Sequence, residues 1–260
     1  MTDPAAPHPP LPAAMAVHDG RARIDRSWWS WAGPHGGFVA GLCLNAGLPL
    51  LGEGRVPRSL HAVFLEAAPE GELVLDASLV REGGSSAVVT VAAGDALRAT
   101  VVGGRPRGTS EVAAEPLPDV PGPDACEDTP LPVDFVPFSQ HLRFRFATPA
   151  RPFASGPVPE LVAWVRPVHD VPLDHAALVV LVDAMPPAVY AVAASPVAVP
   201  TVDLTVSFTD APPATGWVLL RITTRSAAGG WCLDDSEVWD SAGRLLARGR
   251  QTRRVLGEWA

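Results

Sequence analysis

The sequence contains no lysine, and all twenty of its basic residues are arginines. That absence excludes Schiff-base chemistry and a P-loop, both of which need a lysine amine. Arginine, which is present, is well suited to gripping a phosphate-bearing substrate. Cysteine is scarce: Cys43, Cys126 and Cys232 are scattered, with no Cys-x-x-Cys pair. Neither a disulfide framework nor a metal site is therefore expected, and a reducing cytoplasm fits. No apolar run approaches the roughly 18 to 20 residues of a membrane span. Residues 1–16 have neither a basic start nor a continuous apolar stretch, so no signal peptide is expected. There is no Gly-x-Ser-x-Gly elbow, which argues against a serine hydrolase triad. Positive charge is in deficit, with a net charge of −8. A nucleic-acid partner needs a concentrated basic surface and is not expected, nor is a membrane.

What is present is apolar material, 47% of 260 residues, enough for a core in one large or two small domains. Its focus is the stretch from Pro172 to Phe208. Leu173 to Met185 has no internal Gly or Pro, and Asp174 sits near its start, where a helix dipole favours an anion. This predicts a buried helix, followed by a strand from Pro200 to Phe208. Asp183 stands out as a carboxylate after seven consecutive apolar residues and near the unfavourable end of that helix. It is either hydrogen-bonded in a functional setting or placed on a wet stripe or in the turn before Pro186.

The rest of the chain frames this stretch. Residues 1–14, rich in Pro and Ala, read as a disordered tail. Val17 to Ile24 reads as a strand, and Trp28, Trp29 and Trp31 lead into Gly33-Pro34-His35-Gly36-Gly37. Phe38 to Leu51 is then apolar and of helix length. A glycine pair opening a helix leaves its free N–H donors approachable, a place for an anion or a polarised carbonyl; it is also what a simple tight turn looks like. Four extended segments follow, at 60–65, 72–80, 86–92 and 97–102, separated by Gly-containing hairpin turns. Residues 106–138 are a Pro-rich linker. After it come strands at 140–146 and 161–166, the second helix, and strands at 202–208, 218–224, 232–239 and 244–251. The expected domains are 15–105 and 139–260.

The second half thus repeats the first. Asn45 falls opposite Asp183, Phe64 opposite Phe208 and Gly94 opposite Gly243, at offsets of 138, 144 and 149. Where the second half has Asp183, Thr201 and Gln251, the first has Asn45, Pro57 and Val102, give or take one position. A base, a hydroxyl and an amide gathered on one side is what a duplicated site looks like after one copy has kept its chemistry; chance polarity in strands gives the same pattern.

The segments GPHGGFVAGL, SLHAVFLEAAP, LVREGGSSAVVTV, WVRPVHDVPLDHAALVVLVDAMP, PTVDLTVSF and GRLLARGRQ, in this order, resemble the successive blocks of bacterial acyl-CoA thioesterase II and its thioesterase-like relatives. The resemblance covers about residues 17–255 apart from the linker. It implies an α+β fold, the double hotdog, in which two long helices are each wrapped by a curved antiparallel sheet. It also implies hydrolysis of acyl-CoA, or of an acyl-carrier-protein thioester, without a cofactor, in homo-oligomers. Asp183, Thr201 and Gln251 match the residues that activate water in that family. His35, Gly36, Gly37 and Asp203 are the expected substrate-side residues, with the N–H groups near Gly36 and Gly37 facing the oxyanion. The start of the first helix, His35-Gly36-Gly37-Phe38, departs from the family's Phe before and Gln after the glycines, which bears on acyl preference. A hotdog hydratase or dehydratase, using Asp170 and His175 at an Asp-x-x-x-x-His spacing, and a non-catalytic acyl-binding protein are the rival readings.

Overall fold

The computed structural model describes residues 8–108, 112, 115–211 and 213–258. Eleven strands form one antiparallel sheet: β1 (Arg21–Ile24), β2 (Val56–Phe64), β3 (Gly71–Glu82), β4 (Ser86–Ala93), β5 (Leu97–Gly104), β6 (Leu142–Phe146), β7 (Glu160–Pro167), β8 (Thr201–Phe208), β9 (Val218–Ala228), β10 (Trp231–Asp240) and β11 (Leu245–Arg254). Their spatial order is β1-β3-β4-β5-β2-β8-β11-β10-β9-β7-β6. The two halves meet where β2 pairs with β8. At that seam His61 faces Thr205, 144 residues on, the same offset that relates Phe64 to Phe208. Each half therefore meets its own copy across a pseudo-two-fold axis, and the two sheets run on as one. His61 Nδ1 and Thr205 Oγ1 are 2.9 Å apart there.

Among the described residues three α-helices accompany the sheet: the short α1 (Leu11–Ala14), then α2 (Gly36–Gly47) and α3 (His175–Val182). α2 and α3 are apolar on nearly every side and almost wholly buried, as a helix without a polar stripe must be. They lie against each other at backbone distance because glycine faces the contact. A Cβ on Gly37 would sit 2.7 Å from the Val179 carbonyl oxygen, and one on Gly41 would sit 3.2 Å from that of Ala176. Gly249 does the same for the sheet, since a Cβ there would meet Val182 Cγ1 at 2.1 Å. Two helices, each wrapped by half of a continuous antiparallel sheet, make a double hotdog.

Several boundaries differ from the sequence reading. The second helix is shorter than 173–185: the Asp174 carboxylate accepts the Ala177 N–H at 2.8 Å as an N-cap, and the helix ends with Asp183 as its C-cap. Pro186 and Pro187 follow and discourage a further helical turn. The first helix begins two residues early, at Gly36, because His35 caps it, and after Gly47 it tightens into a 3₁₀ turn over Leu48–Leu51. Residues 8–14, expected as part of a disordered tail, are packed. Leu11 and Met15 are buried, and the Met15 carbonyl accepts the Asn45 side-chain amide at 2.9 Å. Residues 1–7 lie outside the described residues. From residue 115 on, the Pro-rich connection also lies on the protein: the indoles of Trp239 and Trp164 donate to the carbonyls of Glu115 and Pro121, and the Thr129 N–H pairs with Phe144 on the edge strand β6; residues 109–111, 113 and 114 lie outside the described residues. No described helix is long and apolar enough to cross a membrane.

Candidate active site

The end of α3 points Asp183 at the start of α2. One carboxylate oxygen, Oδ2, accepts the Gly37 N–H at 2.7 Å; the other, Oδ1, accepts the Gln251 amide N–H at 2.6 Å. The α2 macrodipole thus places its positive end against the carboxylate, which answers the dipole penalty at the end of α3. A carboxylate has about four acceptor positions, so the two bonds leave room for more. The Asp183 side chain is only 10% exposed, and it lines a cavity of about 530 Å³.

Thr201 and Gln251 complete the group that the sequence reading assembled. Gln251, on β11, is 1% exposed and sits behind the cavity wall. Its Nε2 also reaches Thr201 Oγ1 at 3.2 Å. Thr201, at the first position of β8, does line the cavity. Its hydroxyl oxygen also accepts from Arg253 Nη1 at 2.8 Å. With both lone pairs taken, the Thr201 O–H has only the outward direction left for its hydrogen.

Asp203 is not brought to this group. Thr201 pairs with Arg253 but Asp203 pairs with Thr252, so β8 holds one extra residue, a β-bulge. Alternation along β11 puts Gln251 and Arg253 on one face and Thr252 on the other. Across the bulge Thr201 follows the former and Asp203 the latter. Asp203 therefore stands on the outer face, away from the cavity.

His35 and the glycine pair do sit at the site, with a division of labour that the sequence did not reveal. His35 Nδ1 accepts the Phe38 N–H at 3.1 Å as the α2 cap, which leaves the hydrogen on Nε2 to be donated to the Asp183 carbonyl at 3.0 Å. Burial pushes the His35 imidazolium below its ordinary range; Asp183's charge and hydrogen bond pull the other way, and Arg253 adds to the depression. With Nδ1 accepting and Nε2 donating, the ring serves as a neutral fixed donor. The Gly37 N–H, expected to face an oxyanion, is taken by Asp183. Gly36, which lines the cavity, keeps a first-turn N–H that has no intrahelical acceptor.

The sequence reading missed Arg253 and what lies behind it. Arg253 is 5% exposed and gives Nη2 to Gln251 Oε1 at 2.6 Å. Its Nε lies 2.9 Å from the fully buried carboxylate of Asp234, an ion pair set off the hydrogen-bond axis. Its position two residues after Gln251, on the same face of a strand, was the available signal. The cavity beyond is largely apolar and draws on distant parts of the chain, including Trp31, Phe64, Phe135, Phe138, Phe153 and the lone tyrosine, Tyr190. Asp170 and His175 lie elsewhere: Asp170 is exposed and His175 packs edge-on against Phe208.

Comparison with known proteins bears on the fold and the family. Residues 25–104 match the model of the acyl-CoA thioesterase N-terminal domain, and residues 116–255 that of the C-terminal domain. No curated protein matches the sequence. Among solved structures, a conserved hotdog-fold protein of unknown function from Alicyclobacillus acidocaldarius shares 27% identity at a TM-score of 0.86, over 95% of this chain and 98% of that one. A putative thioesterase II from Thermobifida fusca superposes at 0.81 with 22% identity, over 96% and 99% of the two chains. An acyl-CoA thioesterase II from Mycobacterium marinum does so at 0.75 with 18% identity, over 95% and 98%. With both domain models matched in order around a double-hotdog core, the chain belongs to the acyl-CoA thioesterase family.

Proposed function

We propose that the chain hydrolyses acyl thioesters, of CoA or of a carrier-protein arm, by direct attack of water activated at Asp183. The observation that carries this reading is a carboxylate fixed by two donors, Gly37 and Gln251, that still faces a large apolar cavity with acceptor capacity to spare. Water gives one hydrogen to Asp183 and accepts the outward O–H of Thr201. Its oxygen bonds to the thioester carbon while that proton passes to Asp183. The carbonyl electrons move onto oxygen, toward the Gly36 N–H at the positive end of α2. When the C=O re-forms, the C–S bond breaks, and the sulfur leaves with the proton from Asp183, giving a carboxylic acid and a free thiol. No covalent intermediate is needed. His35 and Gln251 act through Asp183, holding its carbonyl and its carboxylate.

The test is thiol release from a panel of acyl-CoAs, short to long and including aromatic ones, beside Asp183→Asn. Loss of a general base costs about 10²- to 10⁴-fold in rate, and a fall in that range is the expected result. An Asp183→Asn protein that turns over like the wild type would end this mechanism. A well-folded wild type with no turnover on any CoA or carrier-protein thioester would favour the acyl-binding reading.

A further inference from the structure

We infer that Arg253, held by the buried carboxylate of Asp234, is the positioning residue that sets which way Gln251 and Thr201 present their polar atoms to the Asp183 site. The inference rests on the hydrolytic reading for its effect on rate, but its structural half stands without it.

A glutamine amide can be turned over with little change of shape, exchanging its oxygen and nitrogen. In one orientation Gln251 donates to Asp183; in the other it would set an oxygen against a carboxylate. Arg253 decides between them. Its Nη2 needs an acceptor and meets Gln251 Oε1 at 2.6 Å, which forces Nε2 toward Asp183 and Thr201. Its Nη1 meets Thr201 Oγ1 at 2.8 Å. Because arginine is donor-only, that contact makes the hydroxyl an acceptor there and sends its hydrogen outward. One planar guanidinium therefore fixes both partners.

The guanidinium is in turn fixed from behind. Asp234 is fully buried and accepts the Thr224 hydroxyl at 2.6 Å, with the Cys232 thiol 3.4 Å from the same oxygen. It presents its other oxygen to Arg253 Nε. A buried charge pair is costly unless geometry is tight and its hydrogen bonds are filled. Its location directly behind the polar trio gives that cost a purpose. Arg253 also stands 3.8 Å from Asp183 Oδ1, within charge range but beyond hydrogen-bond reach. Its main hold on the carboxylate therefore runs through Gln251. Lysine could keep the charge beside Asp234 but cannot supply parallel bonds to Thr201 and Gln251.

The composition makes this directly observable. The chain has one asparagine, Asn45, and two glutamines, Gln140 and Gln251, so a ¹H–¹⁵N spectrum holds three side-chain amide pairs, assignable with Gln251→Glu. In the wild type the Gln251 pair should be widely split and slow to exchange. Arg253→Lys and Arg253→Met should narrow and deprotect that pair while leaving Asn45 and Gln140 in place, and should lower kcat about 10- to 100-fold with KM changed less than threefold. The double variant Arg253→Met/Asp234→Asn, which removes both charges, serves if Arg253→Met fails to fold, and should show the same amide and rate changes. An unmoved Gln251 amide with unchanged kcat in folded variants overturns the inference. A rise in KM at constant kcat overturns it too, making Arg253 a substrate contact. A wild type without turnover removes the hydrolytic reading, and the amide measurement then still decides whether Arg253 orients Gln251.

Discussion

Replacing Gly37 by alanine tests the contact on which the site is built. The added Cβ would lie 2.7 Å from the Val179 carbonyl oxygen and 2.8 Å from Asp183 Cβ, with His35 Cε1 at 3.0 Å. None of these is the loose end of a flexible chain, so α2 and α3 must part by roughly half an ångström or more to restore ordinary contact at about 3.5 Å. Such overpacking costs about 1 to 3 kcal/mol. Alanine's better helix propensity returns up to about 1 kcal/mol, so a net loss of about 1 to 2 kcal/mol is expected. The same movement stretches the 2.7 Å Gly37 to Asp183 hydrogen bond. A hydrogen bond to a charged group contributes about 1.5 to 3 kcal/mol, so losing most of it should slow hydrolysis about 10- to 100-fold. The control is Gly84→Ala, where a Cβ meets nothing within 4 Å and the backbone is not left-handed. Urea denaturation read by tryptophan fluorescence gives the stability change, and thiol release at saturating acyl-CoA gives kcat. If Gly37→Ala matches Gly84→Ala in both, backbone contact between the helices does not position Asp183 and the reasoning fails.

Two further outcomes follow from burial. His141 stacks on Trp28 and bonds Ser27, and burial, with a smaller push from His8, takes its pKa down to about 4 against opposing pulls from Ser27 and Asp25. Between that value and the unfolded value near 6.5 the unfolded chain binds the extra proton. Stability from this group is therefore full above about pH 6.5 and falls by about 2 kcal/mol by pH 5; His35 and His175, also pushed down mainly by burial, add in the same sense. Urea midpoints at pH 7 and pH 5 should show that fall shrinking in His141→Phe, and equal falls in the two proteins would refute it. Met15 is 1% exposed, and its methyl fills the space that a Gly41 side chain would take. Met15→Ala should cost about 2 to 5 kcal/mol, read as a lowered urea midpoint, whereas a free tail over residues 8–14 would give no change.

Much of the site was legible because its residues break a local rule. A carboxylate after seven apolar residues marks Asp183 in any apolar setting, and the internal repeat set Asp183, Thr201 and Gln251 apart from Asn45, Pro57 and Val102 without coordinates. Asp203 misled because strand alternation assumes an unbroken ladder, and the bulge in β8 between Thr201 and Asp203 reverses the face. Arg253 and Asp234 were passed over because a buried ion pair looks, residue by residue, like two surface charges.

The sequence by itself determined the two-unit plan and the buried character of both helices, since periodicity, apolar runs and turn residues act over a few neighbours; Asp183, Thr201 and Gln251 became water-activating candidates only through the family resemblance. Tertiary structure alone decided what those residues do to one another. Asp183 meets Gly37 across 146 positions and Gln251 across 68, and Phe135 and Phe138 reach the cavity because the Pro-rich connection lies along the sheet. Those contacts depend on how close two helices can pack and on where a strand gains one residue, neither of which is written in any single stretch of chain.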